Sequence, residues 1–254
     1  MGGLSHGVRW RRSSRGNYGT RGCRAAEVGR GRAGRMAKAS KRRLLLIRSG
    51  PTEWDLSARL QGQTDLPLAE SAGGAVHAQM LAVTMSGVSS VMFSPDEASR
   101  QVAAWLTEGD GEGRDAKVQQ VEALRELNLG LWTGLRVEEL ETRFERAGAQ
   151  WMADPAAVAA PEGETIADLE SRLLPVLEKA LTRRRTSTAI AVVVRPIAYA
   201  MLRCRLERLA TSDMTRFVGP WESLGPMWFE LDKDDPRLAV APPEPVAPSK
   251  APAA

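Results

Sequence analysis

Short aliphatic runs alternating with amphipathic stretches point to an α/β fold, and three observations carry that expectation. Leu44–Ile47 and Ala189–Val194 are unbroken apolar runs, the pattern of strands covered on both faces. The stretch between Leu68 and Ser86 places Val76, Met80 and Val83 at helical spacing. The first run stops at Arg48-Ser49-Gly50, a turn signal at the carboxyl end of a strand, where a parallel sheet leaves its loops free for a ligand.

The elements follow in order. Pro67-Leu68 leads into a helix expected to reach Ser86, and Val88–Phe93 is the second strand. Ser94-Pro95-Asp96-Glu97 then has the form of a helix start. Ser94 is placed as N-cap, Pro95 as first helical residue and Glu97 as the closing member of a capping box, with the helix running to Leu106. After an Asp/Gly/Glu-rich loop, Val118–Leu124 is expected as a third strand, and Val137–Ala160 as a helical insert. Pro161-Glu162-Gly163-Glu164-Thr165 opens a helix to about Arg183, the fourth strand is Ala189–Val194, a helix spans Ile197–Leu209, and Pro226–Leu231 is the last strand.

Charge divides the chain unevenly. Residues 1–43 hold 13 Lys or Arg against one acid, Glu27, whereas the rest holds 22 basic against 30 acidic residues. Residues 1–41 lack the aliphatic periodicity that would offset the entropy of ordering, so they are expected to form a basic disordered tail, residues 42–235 the folded domain and residues 236–254 a second, Pro/Ala-rich disordered tail. The basic tail has three readings: a nucleic-acid-binding arm, a targeting segment, or sequence upstream of a start at Met36. No apolar run approaches the roughly 20 residues of a membrane span. Two cysteines, Cys23 and Cys204, make no disulfide framework, and no cluster has metal-ligand spacing, so a reducing, cytoplasmic location without metal or cofactor is expected.

Two stretches carry a resemblance. Leu44–Leu68 contains the apolar strand, Arg48-Ser49-Gly50, Thr52, Trp54-Asp55, Arg59, Gln61-Gly62, Asp65 and Pro67-Leu68; Leu124–Leu135 contains Leu124-Arg125-Glu126, Gly130 and Trp132-Thr133-Gly134. Together with Gly163-Glu164-Thr165 they resemble the histidine phosphatase superfamily, the phosphoglycerate mutase-like proteins. The resemblance implies a three-layer α/β/α sandwich with a mostly parallel central sheet. It also implies a histidine that attacks phosphorus, two arginines and a second histidine that hold the phosphoryl oxygens, and a glutamate that protonates the leaving oxygen.

Carried over by position, Arg48, Arg59 and Glu126 are retained. Ser49 stands at the nucleophile's position and Asp55 where an Asn is usual. Ala98 replaces the second phosphate-binding arginine, with Arg100 about 200° away around the helix, and Arg195-Pro196 replaces the second histidine. The chain's two histidines, His6 and His77, lie outside these stretches.

Those substitutions lead to an expected catalytically inactive protein with a binding or scaffold role, whose Arg48, Arg59 and Arg195 form a pocket for a phosphate-containing small molecule, or which engages a protein partner. The alternative is a divergent phosphohydrolase using Ser49 and Glu126. A third reading, nucleic-acid binding, depends on the basic arm. In the plain structural reading, Arg48 pairs with Asp55 or Glu126, and Trp54 and Trp132 pack.

Overall fold

The computed structural model describes residues 41–108, 115–182, 188–232 and 235–239. The basic arm and most of the Pro/Ala-rich tail lie outside the described residues. Five strands form one sheet: β1 (Arg42–Arg48), β2 (Val88–Phe93), β3 (Lys117–Gln120), β4 (Ala189–Val194) and β5 (Met227–Leu231). Their spatial order is β3-β2-β4-β1-β5, all parallel except β5, which runs antiparallel to β1 at the edge.

The two unbroken apolar runs occupy the centre. Leu45 and Ile47 of β1 and Ala191 and Val193 of β4 pack into one core, with α2 (Glu70–Leu81) and α3 (Glu97–Trp105). Leu44 and Leu46, with Val192 and Val194, pack into the opposite core, against α6 (Ile166–Thr182) and α7 (Pro196–Glu207). Because successive strand side chains point to opposite faces, each run serves both layers, which is why neither shows polar alternation. The result is a three-layer α/β/α sandwich.

Several boundaries differ from the sequence reading, each for a local reason. α2 ends at Leu81, short of Ser86, before β-branched Val83 and Thr84 and a turn through Gly87 at φ +73°. α3 starts at Glu97 with Asp96, not Ser94, as N-cap, its carboxylate accepting from Ser99 N at 2.9 Å. Ser94 still belongs to the strand register, its amide donating to Val193 O, and Glu97 pairs with Arg100 instead of closing a box. β3 stops at Gln120 because it is an exposed edge strand, and Glu122–Leu124 forms a 3₁₀ turn that tucks Leu124 inward. The insert is two short helices, α4 (Val137–Arg143) and α5 (Glu145–Ala153), followed by loop. Structure continues past residue 235, since Asp235 caps a turn at Pro236–Leu238 that buries Leu238.

Among the described residues, no helix is long and apolar enough to cross a membrane.

Candidate active site

In this strand order β4 lies between β2 and β1, so the loops leaving β1 and β4 emerge side by side at the carboxyl edge of the sheet. Ser49 N donates to Val194 O at 2.9 Å and extends the ladder one residue into the loop. Gly50 follows because α2 lies against it: a Cβ there would stand 2.6 Å from Val76 Cγ2 and 2.8 Å from Leu68 Cδ2. Thr52 then caps α1 (Glu53–Leu56), with Asp55 closing the box through Thr52 N at 2.8 Å.

Arg195, the residue after β4, binds these parts together. It is 2 % exposed. One terminal nitrogen donates to Ser49 Oγ at 3.2 Å and Gly50 O at 3.1 Å; the other donates to Asp55 Oδ2 at 2.6 Å and Gln61 Oε1 at 2.7 Å. Burial works against the guanidinium's charge, but the carboxylates of Asp55, Asp96 and Glu126 outweigh it and hold its pKa above the ordinary value. Its Nε is buried without a hydrogen-bond partner. Asp55 is therefore the counterion of Arg195, not of Arg48. Arg48 spends one guanidinium nitrogen on Gly219 O at 2.6 Å, and burial pulls its pKa below the ordinary value.

Glu126 enters from the loop after the Glu122–Leu124 turn. Pro196 at the first position of α7 has no N–H, so the next two amides, Ile197 and Ala198, are the first orphan donors of that helix. The Glu126 carboxylate caps them, accepting from Ile197 N at 2.7 Å and Ala198 N at 2.9 Å, and from Leu127 N at 2.7 Å. Burial raises its pKa from 4.5 to about 7 despite those donors and Arg195. A carboxyl group near neutrality can act as both proton donor and acceptor.

Two cavities meet here. One of about 80 Å³ is lined by Asp55, Arg59, Gln61, Glu126, Arg195 and neighbours; the other, about 460 Å³, shares Asp55, Arg59 and Pro196 with it and includes Arg48. Arg59, just after Ala58 at φ +55°, donates to Gly134 O at 2.7 Å. Arg48, Arg59, Arg195 and Glu126 thus line this connected space, while Ser49 lies sealed behind Arg195. Ala98 is buried in α3, Arg100 pairs with Glu97 at the surface, and His77 stacks on Trp105 with centroids 4.9 Å apart. Trp132 is fully buried. Among the described residues, no group of His, Cys, Asp or Glu could hold a metal ion.

The sequence reading missed Arg172 and quoted Gln61 only as a motif residue, without a role. Arg172 of α6 donates to the carbonyls of Ala123, Arg125 and Glu126 and pairs with Glu164, clamping the Glu126 loop. No local spacing signals Arg172, because Glu164 stands eight residues before it, beyond the i, i+3 and i, i+4 pairs of a helix surface.

A buried arginine and a near-neutral carboxyl group stand together at the carboxyl edge of a mostly parallel sheet, the usual place for a site in an α/β domain. Residues 44–240 match the profile of the histidine phosphatase superfamily (branch 1), and the chain belongs to that family. It is 29 % identical over 194 residues to a probable phosphoglycerate mutase GpmB of Serratia proteamaculans, covering 71 % of this chain and 87 % of that one. It is 27 % identical to a glucosyl-3-phosphoglycerate phosphatase of Mycolicibacterium vanbaalenii, covering 75 % and 84 %. In fold it is similar to a mycobacterial glucosyl-3-phosphoglycerate phosphatase solved with VO3, at TM-score 0.61 and 24 % identity over 75 % of this chain and 92 % of that one. It is also similar to an alpha-ribazole phosphatase from Shigella flexneri, at TM-score 0.59 and 20 % identity over 75 % and 90 %.

These relatives overturn the expectation of an inactive scaffold. Their names point to phosphoester chemistry, and they are matched over most of their length. The scaffold reading rested on the lost phosphohistidine route and ranked the alternative through Ser49 and Glu126 second, and it is that alternative which the relatives favour. It gave no weight to a buried carboxyl group poised near neutral pH.

Proposed function

We propose that this chain is a low-turnover phosphomonoester hydrolase in which Glu126 carries protons and Ser49 attacks phosphorus. The observation that carries the reading is Glu126, buried at the mouth of α7 beside Arg195 with a pKa raised to about 7. The substrate's phosphoryl oxygens replace the Asp55 carboxylate against Arg195, with Arg48 and Arg59 flanking. Displacing Asp55 frees the end of Arg195 that covers Ser49 in the empty site, so that Ser49 Oγ, still beside the guanidinium, is uncovered and attacks phosphorus; its proton passes to the released Asp55, the P–O bond to the alcohol breaks, and protonated Glu126 gives its proton to the leaving oxygen.

In the second half, Glu126 takes a proton from water, which attacks the phosphoserine. Phosphate departs, and Ser49 recovers its proton from Asp55, so both acids return to their starting states. Arg195 lies within hydrogen-bond reach of Ser49 Oγ, where its positive charge favours the developing alkoxide. A phosphoserine ester resists hydrolysis, so the second step limits turnover.

The cytoplasm, with its phosphorylated small molecules and reduced thiols, suits this reading; the support is Cys204, buried and unpaired in α7. The test uses p-nitrophenyl phosphate. Wild type should give a burst of nitrophenol followed by slow release, with one phosphoryl group on Ser49 by intact mass and peptide mapping, and Glu126→Gln should suppress the slow phase. Absence of both nitrophenol and phosphoenzyme, or wild-type turnover in Glu126→Gln, overturns the reading.

A further inference from the structure

We infer that the alcohol half of the ligand is apolar and of aryl size, carrying no second anionic group. This inference rests on the hydrolase reading for where the phosphate sits and extends it to what the phosphate is attached to. The small cavity beside Arg195 and Glu126, about 80 Å³, has room for little beyond the phosphoryl group, so the remainder must occupy the adjoining cleft of about 460 Å³. That volume is within the ~300–1,000 Å³ typical of small-molecule sites.

Its walls are the argument. Leu56, Leu60, Val137, Val218, Pro220 and Trp221 surround the space, from three different parts of the chain. Leu56 is 50 % exposed and Val218 41 % exposed, both large aliphatic side chains left facing water at the rim of one cleft. Converging exposed apolar side chains of this kind mark a binding surface more often than scattered single ones do.

The charges in the cleft point the same way. Its ionisable lining groups are Arg48, Arg59, Asp55 and Glu222. Asp55 is tied to Arg195 until the phosphate displaces it and is then a second free carboxylate in the lining, while Arg48 and Arg59 each already donate to a backbone carbonyl, Gly219 O and Gly134 O. A phosphate at Arg195 takes the two cleft arginines' remaining donors. A further carboxylate on the ligand would then find no uncommitted cation in the lining and would meet Glu222. A flat hydrocarbon ring meets Trp221 and the aliphatic wall instead.

The experiment compares 1-naphthyl phosphate with 3-phosphoglycerate on the full chain. Equilibrium binding, read by calorimetry, is paired with kcat/KM. Naphthyl phosphate should bind at least about 10-fold more tightly, and Trp221→Ala and Val218→Asp should each shrink that preference by a similar factor while 3-phosphoglycerate binding changes little. Equal or tighter binding of 3-phosphoglycerate overturns the inference, as does a preference that both variants leave intact. Naphthyl phosphate that binds with the stated preference yet is never hydrolysed sinks the hydrolase reading alone and leaves the ligand class standing.

Discussion

Stability should fall as pH rises from about 4.5 to about 7, through one carboxyl group. Glu126 titrates near 7 in the folded chain and near 4.5 when unfolded. Below 4.5 both states hold the proton; between the two values the native state keeps it and the unfolded state releases it, so added base favours unfolding. Across that gap of about 2.5 units, at ~1.36 kcal/mol per unit, the loss is about 3 kcal/mol, complete above pH 7. Urea midpoints taken from pH 4 to 8 on wild type and Glu126→Gln isolate this group. Other shifted acids, such as Asp168, pulled down chiefly by the Thr165 hydroxyl, are common to both proteins and cancel in the difference. The Gln amide turns an N–H toward one backbone donor, an offset of about 1–3 kcal/mol that does not vary with pH. Wild type should therefore lose on the order of 1–3 M in urea midpoint relative to the variant over this range. A wild-type minus variant difference that is flat, or that rises with pH, refutes the assignment of Glu126 as the near-neutral acid.

Two substitutions probe the groups around it. Asp55→Asn leaves the buried Arg195 charge without its counterion and should cost about 3 kcal/mol of stability by urea unfolding; because inorganic phosphate can then serve as the missing anion, its stabilising thermal shift should exceed that of wild type, and an equal shift would show that anions do not reach Arg195. Arg172→Leu removes donors to the carbonyls of Ala123, Arg125 and Glu126 and should cost at least about 2 kcal/mol. Its second readout is kcat, which should fall with KM little changed, and an unaltered kcat would mean the clamp does not position Glu126.

What could be read from sequence follows from where the signal lies. β1 and β4 are central, so burial on both faces forces the unbroken apolar runs that made them visible. β3 is an edge strand with all four residues exposed, so its sequence, Lys-Val-Gln-Gln, carries almost no pattern and its end was misplaced. At the start of α3 two capping residues competed, and strand register, a tertiary property, gave the position to Asp96. In the site, motif order pointed to Arg48, Arg59, Arg195 and Glu126, which the fold brings to the lining of the two adjoining cavities. The partner of Asp55 was not legible, because Arg195 stands 140 residues away and only the sheet order brings them together. The pKa of Glu126 is likewise a consequence of burial, which no local stretch encodes.

The pairing of Asp55 with Arg195 also sets when the proposed site could work. Empty, the guanidinium is neutralised by an internal carboxylate, so a phosphate ester must displace Asp55 rather than enter an open cationic pocket. A dianion competes for Arg195 better than a monoanion, and phosphate esters reach the dianionic form above a second pKa of about 6. Protonation of the leaving oxygen, in contrast, needs Glu126 in its acid form, which is lost above about 7. The two demands overlap only between about 6 and 7, so kcat/KM should trace a narrow bell in that interval. Neutralising Asp55 removes both the carboxylate that the ester must displace and the acceptor of the Ser49 proton. In Asp55→Asn kcat should fall, whereas binding of a phosphate monoester, read by calorimetry, should persist to lower pH than in wild type because the monoanion has no carboxylate to displace; binding lost at the same pH as in wild type would refute the competition.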